Sequence, residues 1–258
     1  MKIMLIVLDI INMIPINKMY CINLHNRNDR MEASKKIFDK YNLFVKFYRV
    51  NKDIDDPVRG CFNSHTAIIK KAYEKKFDNV LIFEDDIVCY LDKNEFDNII
   101  QNVYNFIQTH DYDIFFLGSS PDIYNGSAKK ITNNIYQVNA FNTHAYILSK
   151  SGIEKYKDLA YYNIPIDEIY SKSNKTYAFV PSIFNQNESE SDLSKANYFG
   201  FKEYLQIFRD KYIIYVNKPI ATVIKIIIIG SIILYIVTRN KIFIILPILY
   251  LLVCIYRC

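Results

Sequence analysis

Apolar residues are arranged along the chain in two patterns, short unbroken runs and longer stretches with helical spacing. Residues 80–83 form one such run, and its length fits a strand that is buried on both faces of a sheet. In residues 95–108 the apolar positions recur every three or four residues, as they do along one face of a helix. Strands that alternate with helices in this way indicate an α/β sandwich.

The alternation extends over most of the chain, without an internal repeat, and defines a domain at residues 18–210. Residues 1–16 are predicted to form an extra strand or a loose leader, with a signal anchor as the alternative. We predict strands at residues 19–24, 44–50, 80–83, 113–118, 135–138, 143–148 and 176–180, and a turn at 119–121. We predict helices at residues 31–41, after a cap at Asn63 or Ser64, at 95–108, at 150–159 and opening at 164–168.

Three consecutive carboxylates, Glu84, Asp85 and Asp86, follow the buried run at residues 80–83 directly. They repel one another, and a divalent metal is the simplest neutralising group because Mg²⁺ and Mn²⁺ prefer carboxylates together with substrate phosphates. Residues two apart in an extended segment point the same way, so we expect Glu84 and Asp86 to share the ion. An acidic loop or a helix N-terminus is the alternative.

Polar residues that could bind anions occur at two places, after the first predicted strand and at the start of a predicted helix. Arg27 and Arg30 are expected in a polar turn after the first strand, at the strand end where ligands gather in α/β folds. They would contact a phosphate or a nucleobase there, or be ordinary surface residues. Ser64 and His65 are expected at a helix N-terminus, where backbone N–H groups favour anions. A structural role is the alternative for His65.

The chain after Lys218 is almost entirely apolar. Residues 219–237 form one apolar run, which contains Lys225, and residues 242–256 form a second, shorter run. A membrane helix needs about 20 apolar residues. We therefore predict C-terminal transmembrane segments at residues 219–256, as a hairpin or a single helix, with a buried core helix as the alternative.

Composition narrows the function classes further. The 258 residues carry a net charge of only +5, with basic and acidic residues interleaved, so we expect no nucleic-acid partner. Five cysteines without a Cys-x-x-Cys spacing indicate neither a zinc site nor a disulfide scaffold. The chain lacks the glycine-rich dinucleotide fingerprint, the P-loop and the Gly-x-Ser-x-Gly elbow, so metal and side chains would have to meet the phosphates of a nucleotide.

Five segments stand out in chain order and cover roughly residues 20–193. They are Ile22-Asn23-Leu24 with Arg27 and Asp29-Arg30, Cys61-Phe62-Asn63-Ser64-His65, Phe83-Glu84-Asp85-Asp86-Ile87, His144-Ala145-Tyr146-Ile147-Leu148-Ser149 with Gly152, and Pro165-Ile166-Asp167-Glu168. Together they resemble glycosyltransferase family 25, the group of bacterial lipooligosaccharide galactosyltransferases and collagen galactosyltransferases.

This resemblance implies a GT-A-like domain that transfers a hexose, galactose or glucose, from a UDP-sugar to a glycan, glycolipid or protein hydroxyl with inversion. The implied cofactor is Mn²⁺, or alternatively Mg²⁺, held on the diphosphate by Asp86 with Glu84 or Asp85. Asp167 is the expected general base, and a helix N-cap is its alternative role. The expected donor-side residues are Asn23, Arg27, Arg30, Ser64, His65, Glu84 and Asp85, and the expected acceptor-side residues are His144 and Glu168.

Two other functions stay open at this point, a metal-dependent nucleotidyl- or phosphotransferase and a catalytically silent, membrane-anchored binding protein. The excess of Lys and Arg outside the turn of the predicted hairpin favours a cytoplasmic catalytic domain. The collagen-type relatives, which work in the lumen of the endoplasmic reticulum, and sequons at Asn125, Asn174 and Asn187 favour the opposite side. We expect a cytoplasm-facing domain, because charges close to the spans decide orientation.

Overall fold

The structure is a computed structural model that describes residues 18–121, 128–186 and 230–231. The strands are β1 Met19–Leu24, β2 Val45–Val50, β3 Asn79–Glu84, β4 Ile87–Val88, β5 Ile114–Pro121, β6 Lys129–Lys130, β7 Ile135–Gln137, β8 Ala140–Ser149, β9 Thr176–Phe179 and β10 Asn185–Gln186. The helices are α1 Asn28–Lys40, α2 Pro57–Glu74, α3 Lys93–Thr109, α4 Lys150–Tyr156 and α5 Ile166–Ser171.

Eight of these strands form one mixed sheet in the order β2-β1-β3-β8-β5-β9-β7-β6. Strands β2, β1, β3, β5, β9 and β6 run in one direction, whereas β8 and β7 run in the other. The short strands β4 and β10 pair separately as an antiparallel ribbon. The prediction of an α/β fold is confirmed, with β8 inserted between β3 and β5.

Helices cover both faces of the sheet. Helices α1 and α3 pack on one face, and α2, α4 and α5 pack on the other. Strand β3 contributes to both cores, since Leu81 and Phe83 face α1 and α3 while Val80 and Ile82 face α2. All four side chains are buried. The prediction from residues 80–83, a strand buried on both faces, is therefore confirmed.

Two helices begin earlier than the sequence predicts. Helix α2 begins at Pro57, and the Asp56 carboxylate caps it by accepting the Arg59 backbone N–H at 3.0 Å. Proline suits the first helical position because its missing N–H would be unsatisfied there anyway. The predicted cap at Asn63 or Ser64 is therefore wrong. Helix α1 begins at Asn28, so the predicted polar turn around Arg30 is also wrong.

Strand β5 continues through Pro121, where the sequence predicts a turn at residues 119–121. Its pairing with β8 shifts register at Gly118 and again at Ser120, so the strand bends while it stays paired. Such irregularities keep a strand in the sheet beyond its apolar run and re-aim its backbone. The predicted turn is wrong because backbone pairing, which leaves no mark in the apolar pattern, extends the strand.

The predicted C-terminal spans lie outside the described residues, apart from Gly230 and Ser231, which are helical. Residues 1–16 also lie outside them, and so does the part of the predicted domain after Gln186. Within residues 18–121, 128–186 and 230–231, no helix is long and apolar enough to cross a membrane.

Candidate active site

The acidic triplet lies at the end of β3, where neighbouring strands also contribute polar residues. Strand β1 is parallel to β3, which brings Asn23 to the same edge. Strand β8 runs antiparallel to β3 with Ala145 opposite Phe83, so the first residues of β8 lie beside Glu84. Open α/β sheets bind ligands at the carboxyl ends of their strands. This edge is therefore the candidate active site.

The Glu84 carboxylate makes different contacts from Asp85 and Asp86, which both lie beside Arg30. Alternation along β3 places Glu84 on the α2 side of the sheet, and the contacts of Asp85 lie on the α1 side. Asp85 and Asp86 form a turn after the strand. The expectation that Glu84 and Asp86 point the same way assumes an extended backbone through Asp86. That assumption is wrong, because β3 ends at Glu84.

Asp85 is held by two residues from the first αβ unit. The Asn23 side-chain amide donates to Asp85 Oδ2 at 2.6 Å, and Arg30 Nη1 donates to Asp85 Oδ1 at 3.2 Å. Asn23 also donates to the Arg27 carbonyl at 2.9 Å, which ties the loop after β1 to this edge. Burial raises the pKa of the Asp85 carboxyl, and its contacts with Asn23 and Arg30 oppose that rise. Asp85 is thus a buried carboxylate that links the end of β3 to β1 and α1.

Asp86 is the carboxylate of the triplet with the fewest partners. Its Oδ2 lies 3.5 Å from Arg30 Nη1, and its buried Oδ1 makes no hydrogen bond within the described residues. Burial, followed by the negative charge of Glu84, raises the pKa of Asp86 to about 7. A buried carboxylate oxygen without a donor costs free energy that a cation would recover. Asp86 therefore fits the role of a ligand to a divalent metal.

Glu84 has partners on both of its carboxylate oxygens. The Thr143 hydroxyl donates to Oε1 at 2.9 Å, and the Gln186 side-chain amide donates to Oε2 at 3.3 Å. The Nε2 atom of His65 lies 3.5 Å from Oε1. Burial by itself would raise the pKa of Glu84, but His65, the charge of His144 and the Thr143 hydrogen bond outweigh it and lower the pKa. Glu84 is consequently an ionised, firmly held carboxylate.

His65 lies inside α2 and is buried, with 1% of its surface exposed. Its Nδ1 lies 2.9 Å from the Tyr146 hydroxyl, whereas its Nε2 makes no hydrogen bond within the described residues. The backbone N–H groups at this depth in α2 are used inside the helix. The expectation of an anion site at a helix N-terminus formed by Ser64 and His65 is therefore wrong. Ser64 donates to the Gly60 carbonyl at 2.7 Å instead.

Cys61 lies one helical turn before His65, on the same face of α2. Its Sγ, the Glu84 carboxylate and a ring nitrogen of His65 all lie within 4.8 Å of one another. Burial and the charges of Glu84, Asp167 and Asp86 raise the pKa of the Cys61 thiol. Helix α2 thus lies against the end of β3 at this group, and it also packs against α5.

Asp167 lies in the first turn of α5 and reaches towards the start of β8. Its Oδ2 accepts the Asn142 backbone N–H at 3.2 Å, and its Oδ1 accepts the Glu168 backbone N–H at 2.9 Å. Pro165 occupies the N-cap position and Asp167 follows it inside the helix, so the alternative role of Asp167 as the N-cap is wrong. Two backbone donors therefore orient the carboxylate at this edge.

His144 is fully buried, and its Nε2–H donates to the Phe184 carbonyl at 3.0 Å. Gly118 of β5 permits this arrangement, because a Cβ at position 118 would lie 2.5 Å from both His144 Cδ2 and the Phe184 oxygen. The ring thus joins β5, β8 and the segment before β10. Its contacts are those of a residue that holds the site together, and its charge acts on Glu84.

Two other predicted site residues make their described contacts near the surface. Arg27 pairs with Asp29 at 2.9 Å, and Glu168 pairs with Lys172 one turn along α5 at 2.9 Å. The structure therefore gathers Asn23, Arg30, His65, Asp167 and the triplet around one edge, whereas Ser64 bonds within its own helix.

Three residues at this edge carry no assigned role in the sequence interpretation. Cys61 appears there only as part of a motif and Thr143 only as part of a strand, while Gln186 lies in none of the predicted elements. The Cys61–His65 spacing of four residues is a usable signal, but only for a helix that begins at Pro57. No sequence signal links Gln186 to Glu84, which lies 102 residues earlier.

Comparison with known proteins supplies the family. The model of the family described as "Glycosyltransferase family 25 (LPS biosynthesis protein)" matches residues 31–170, which is more than half of the chain. No curated protein matches.

Similar solved structures include a glycosyltransferase involved in the glycosylation of the major capsid of PBCV-1, at 10% identity and a TM-score of 0.44, covering 67% of this chain and 96% of that one. The glycosyltransferase GlyE of Streptococcus pneumoniae TIGR4 is similar at 9% identity and a TM-score of 0.38, covering 73% and 58%. Mannose-1-phosphate geranyltransferase from Thermus thermophilus is similar at 8% identity and a TM-score of 0.36, covering 69% and 63%.

The matched residues include α2, the acidic triplet, β8 and the first turn of α5. They therefore contain most of the edge described above, including Glu84, Asp86 and Asp167. On the strength of the family match, this chain is a glycosyltransferase and belongs to glycosyltransferase family 25.

Proposed function

We propose that the chain is a metal-dependent, inverting glycosyltransferase with a GT-A-like fold. It moves a hexose, galactose or glucose, from a UDP-sugar to a hydroxyl of a glycan, glycolipid or protein. The observation that carries the metal dependence is the buried Oδ1 of Asp86, which makes no hydrogen bond within the described residues. A cation bound by the donor diphosphate provides the partner that this oxygen lacks.

Asp86 is the proposed principal protein ligand of that cation, which is Mn²⁺ or alternatively Mg²⁺. Such ions are commonly held by one or two carboxylates together with substrate phosphates, so Asp86 needs at most one further ligand, Glu84 or Asp85. When bound, the ion neutralises the charge that develops on the departing diphosphate. Arg30, which contacts Asp85 and Asp86, adds a fixed positive charge on the same side.

Asp167 is the proposed general base. Its two described hydrogen bonds come from backbone N–H groups, which fix the orientation of the carboxylate. A carboxylate has about four lone-pair positions, so accepting two donors leaves capacity for a substrate hydroxyl. In a single displacement, the acceptor hydroxyl gives its proton to Asp167 as its oxygen attacks the anomeric carbon. His144 then acts as a positioning residue, and Glu168 borders the acceptor side.

The experiment that tests this proposal is a donor screen on the full-length protein with Mn²⁺. UDP-galactose and UDP-glucose are offered with hydroxyl acceptors, and released UDP is measured together with the anomeric configuration of the product. Metal-dependent UDP release with an inverted product supports the proposal. Transfer of the nucleotidyl or phosphoryl group would favour the transferase alternative, and binding without turnover or hydrolysis would favour a silent binding protein.

The proposal extends to location. The apolar segments at residues 219–256 would hold the enzyme at a membrane, with the catalytic domain on the cytoplasmic side. The distribution of Lys and Arg around these segments supports that orientation. Asn174 is exposed and lies in a sequon within the described domain. Glycosylation of Asn174 would therefore indicate that the catalytic domain faces the lumen.

A further inference from the structure

Cys61, His65 and Glu84 form a compact group at the start of the acidic triplet, in which His65 is buried and the other two residues are partly buried. One ligand atom from each, Sγ, a ring nitrogen and a carboxylate oxygen, lies within 4.8 Å of the other two. The four-residue spacing on α2 puts Cys61 and His65 on one helix face, and alternation along β3 turns Glu84 towards that face. Because Glu84 belongs to this group, Asp85 is left as the further ligand of the donor cation proposed at Asp86.

His65 supplies an independent sign of a ligand. The ring is 1% exposed, yet its Nε2 makes no hydrogen bond within the described residues. This atom lies 3.5 Å from Glu84 Oε1. Two ligands about 2.0–2.1 Å from one tetrahedral zinc ion lie roughly 3.4 Å apart. The observed separation therefore suits two ligands of the same ion, and a movement of the Cys61 side chain by about 1 Å would complete the set.

The surrounding hydrogen bonds are those that orient metal ligands. Metal-bound histidines generally donate their second ring N–H, and His65 Nδ1 lies 2.9 Å from the hydroxyl of buried Tyr146. That hydroxyl lies 3.3 Å from the Tyr170 hydroxyl, so it can pass a hydrogen bond on. Ligating carboxylates are hydrogen-bonded in turn, as Glu84 is by Thr143 at 2.9 Å.

We propose that Cys61, His65 and Glu84 bind a borderline-soft divalent cation, Zn²⁺, with the fourth position open to water. A thiolate and an imidazole select zinc over the harder Mg²⁺ and Mn²⁺. The ion ties α2 to the end of β3. Binding converts the Cys61 thiol into a zinc-bound thiolate and releases one proton to solvent.

The first test measures Zn²⁺ binding to the metal-free, full-length protein by competition with a colorimetric chelator. The expected result is one ion per chain in the wild type. The nearly isosteric Cys61→Ser variant should bind Zn²⁺ more than about 100-fold more weakly, whereas the matched Cys89→Ser variant should bind it normally. Cys89 is also a free, partly buried cysteine, but it is no member of the group. Equal binding by wild type and Cys61→Ser would overturn the proposal.

The second test replaces Zn²⁺ by Co²⁺ and records the absorption spectrum. A thiolate-to-cobalt charge-transfer band should appear in the wild type and in Cys89→Ser, and it should be absent from Cys61→Ser. Its absence from the wild type would exclude thiolate ligation. Tyr146→Phe removes only the hydroxyl beside His65 Nδ1 and is expected to weaken Zn²⁺ binding about 10- to 100-fold. An unchanged affinity would contradict the assigned orientation of His65.

The Asp86→Asn variant separates this site from the donor-metal proposal. It should bind Zn²⁺ and show the cobalt–thiolate band as the wild type does, even though its glycosyl transfer is lost. Loss of the band in this variant, with the fold intact by circular dichroism, would show that the two sites are one and would overturn the proposal.

Discussion

Replacing Asp86 by asparagine is expected to stabilise the metal-free protein at neutral pH while it abolishes metal-dependent transfer. Asp86 has its pKa raised to about 7 by burial and by the charge of Glu84, against an ordinary value of 3.8. Between these two pH values the folded state holds a proton that the unfolded state has released. The free energy of unfolding therefore falls as the pH rises from about 4 to about 7.

The size of this effect follows from the difference between the two pKa values. Each tenfold difference in proton affinity corresponds to about 1.4 kcal/mol, so a rise from 3.8 to about 7 corresponds to roughly 4 kcal/mol. The Asp86 side chain is 16% exposed, and water at this edge reduces the cost to roughly 2–4 kcal/mol. Asparagine keeps the shape and carries no charge, so the variant should gain about this amount at pH 8 and almost nothing at pH 4.

The assay is urea unfolding of full-length protein in chelator at several pH values, followed by circular dichroism because the chain contains no tryptophan. The matched control, Asp39→Asn, removes the same charge from an exposed position in α1. Addition of Mn²⁺ should stabilise the wild type and Asp39→Asn but not Asp86→Asn. An Asp86→Asn variant that is no more stable than the wild type at pH 8, or one that keeps Mn²⁺-dependent turnover, would refute the reasoning.

Three further outcomes are expected. Asp167→Asn should lower kcat by about 10²–10⁴-fold with little change in the donor KM, whereas the control Glu168→Gln should lower kcat much less. If steady-state assays show a loss of kcat below about fivefold for Asp167→Asn, Asp167 is not the general base. Gly118→Ala should lower the free energy of unfolding by about 1–3 kcal/mol in urea titrations, because its Cβ would lie 2.5 Å from His144 Cδ2; unchanged stability would show that the ring moves aside freely. In a eukaryotic cell, endoglycosidase should leave the mobility of the protein unchanged, and a shift that Asn174→Gln reduces would place the domain in the lumen.

The part of the site that the sequence could predict is local. Residues 80–83 are apolar without a break and end in carboxylates, and this pattern alone places a buried strand with an acidic end. The different directions of Glu84 and Asp86 depend on where the strand stops, and the apolar run does not mark that residue. The start of α2 is predictable from the sequence, because Asp suits the N-cap position and Pro suits the first helical position, as Asp56 and Pro57 show.

The remaining parts of the site depend on contacts between distant residues. The amide of Asn23 reaches Asp85 across 62 positions, and Gln186 reaches Glu84 across 102. The first contact follows from the pairing of β1 with β3 and the second from the pairing of β10 with β4, neither of which the hydrophobic pattern contains. The family resemblance identifies several of the residues that gather at the edge, but not Thr143 or Gln186, and it does not give the hydrogen bonds that each one makes.

The position of β8 between β3 and β5 also affects how the chain can fold during synthesis. Strands β3 and β5 both precede β8 in the chain, and β8 is the strand that joins the two halves of the sheet. A nascent chain that ends before Ala140 therefore leaves β3 unpaired on one edge and β5 unpaired on both edges, and such unpaired apolar strands are prone to aggregate. Emergence of residues 140–149 from the ribosome lets β8 join β3 to β5 and brings Thr143 to Glu84 in the same step. Joining of the two halves of the sheet and formation of the Thr143–Glu84 contact are thus one event, and it precedes the arrival of β9, Asp167 and Gln186 at the candidate active site.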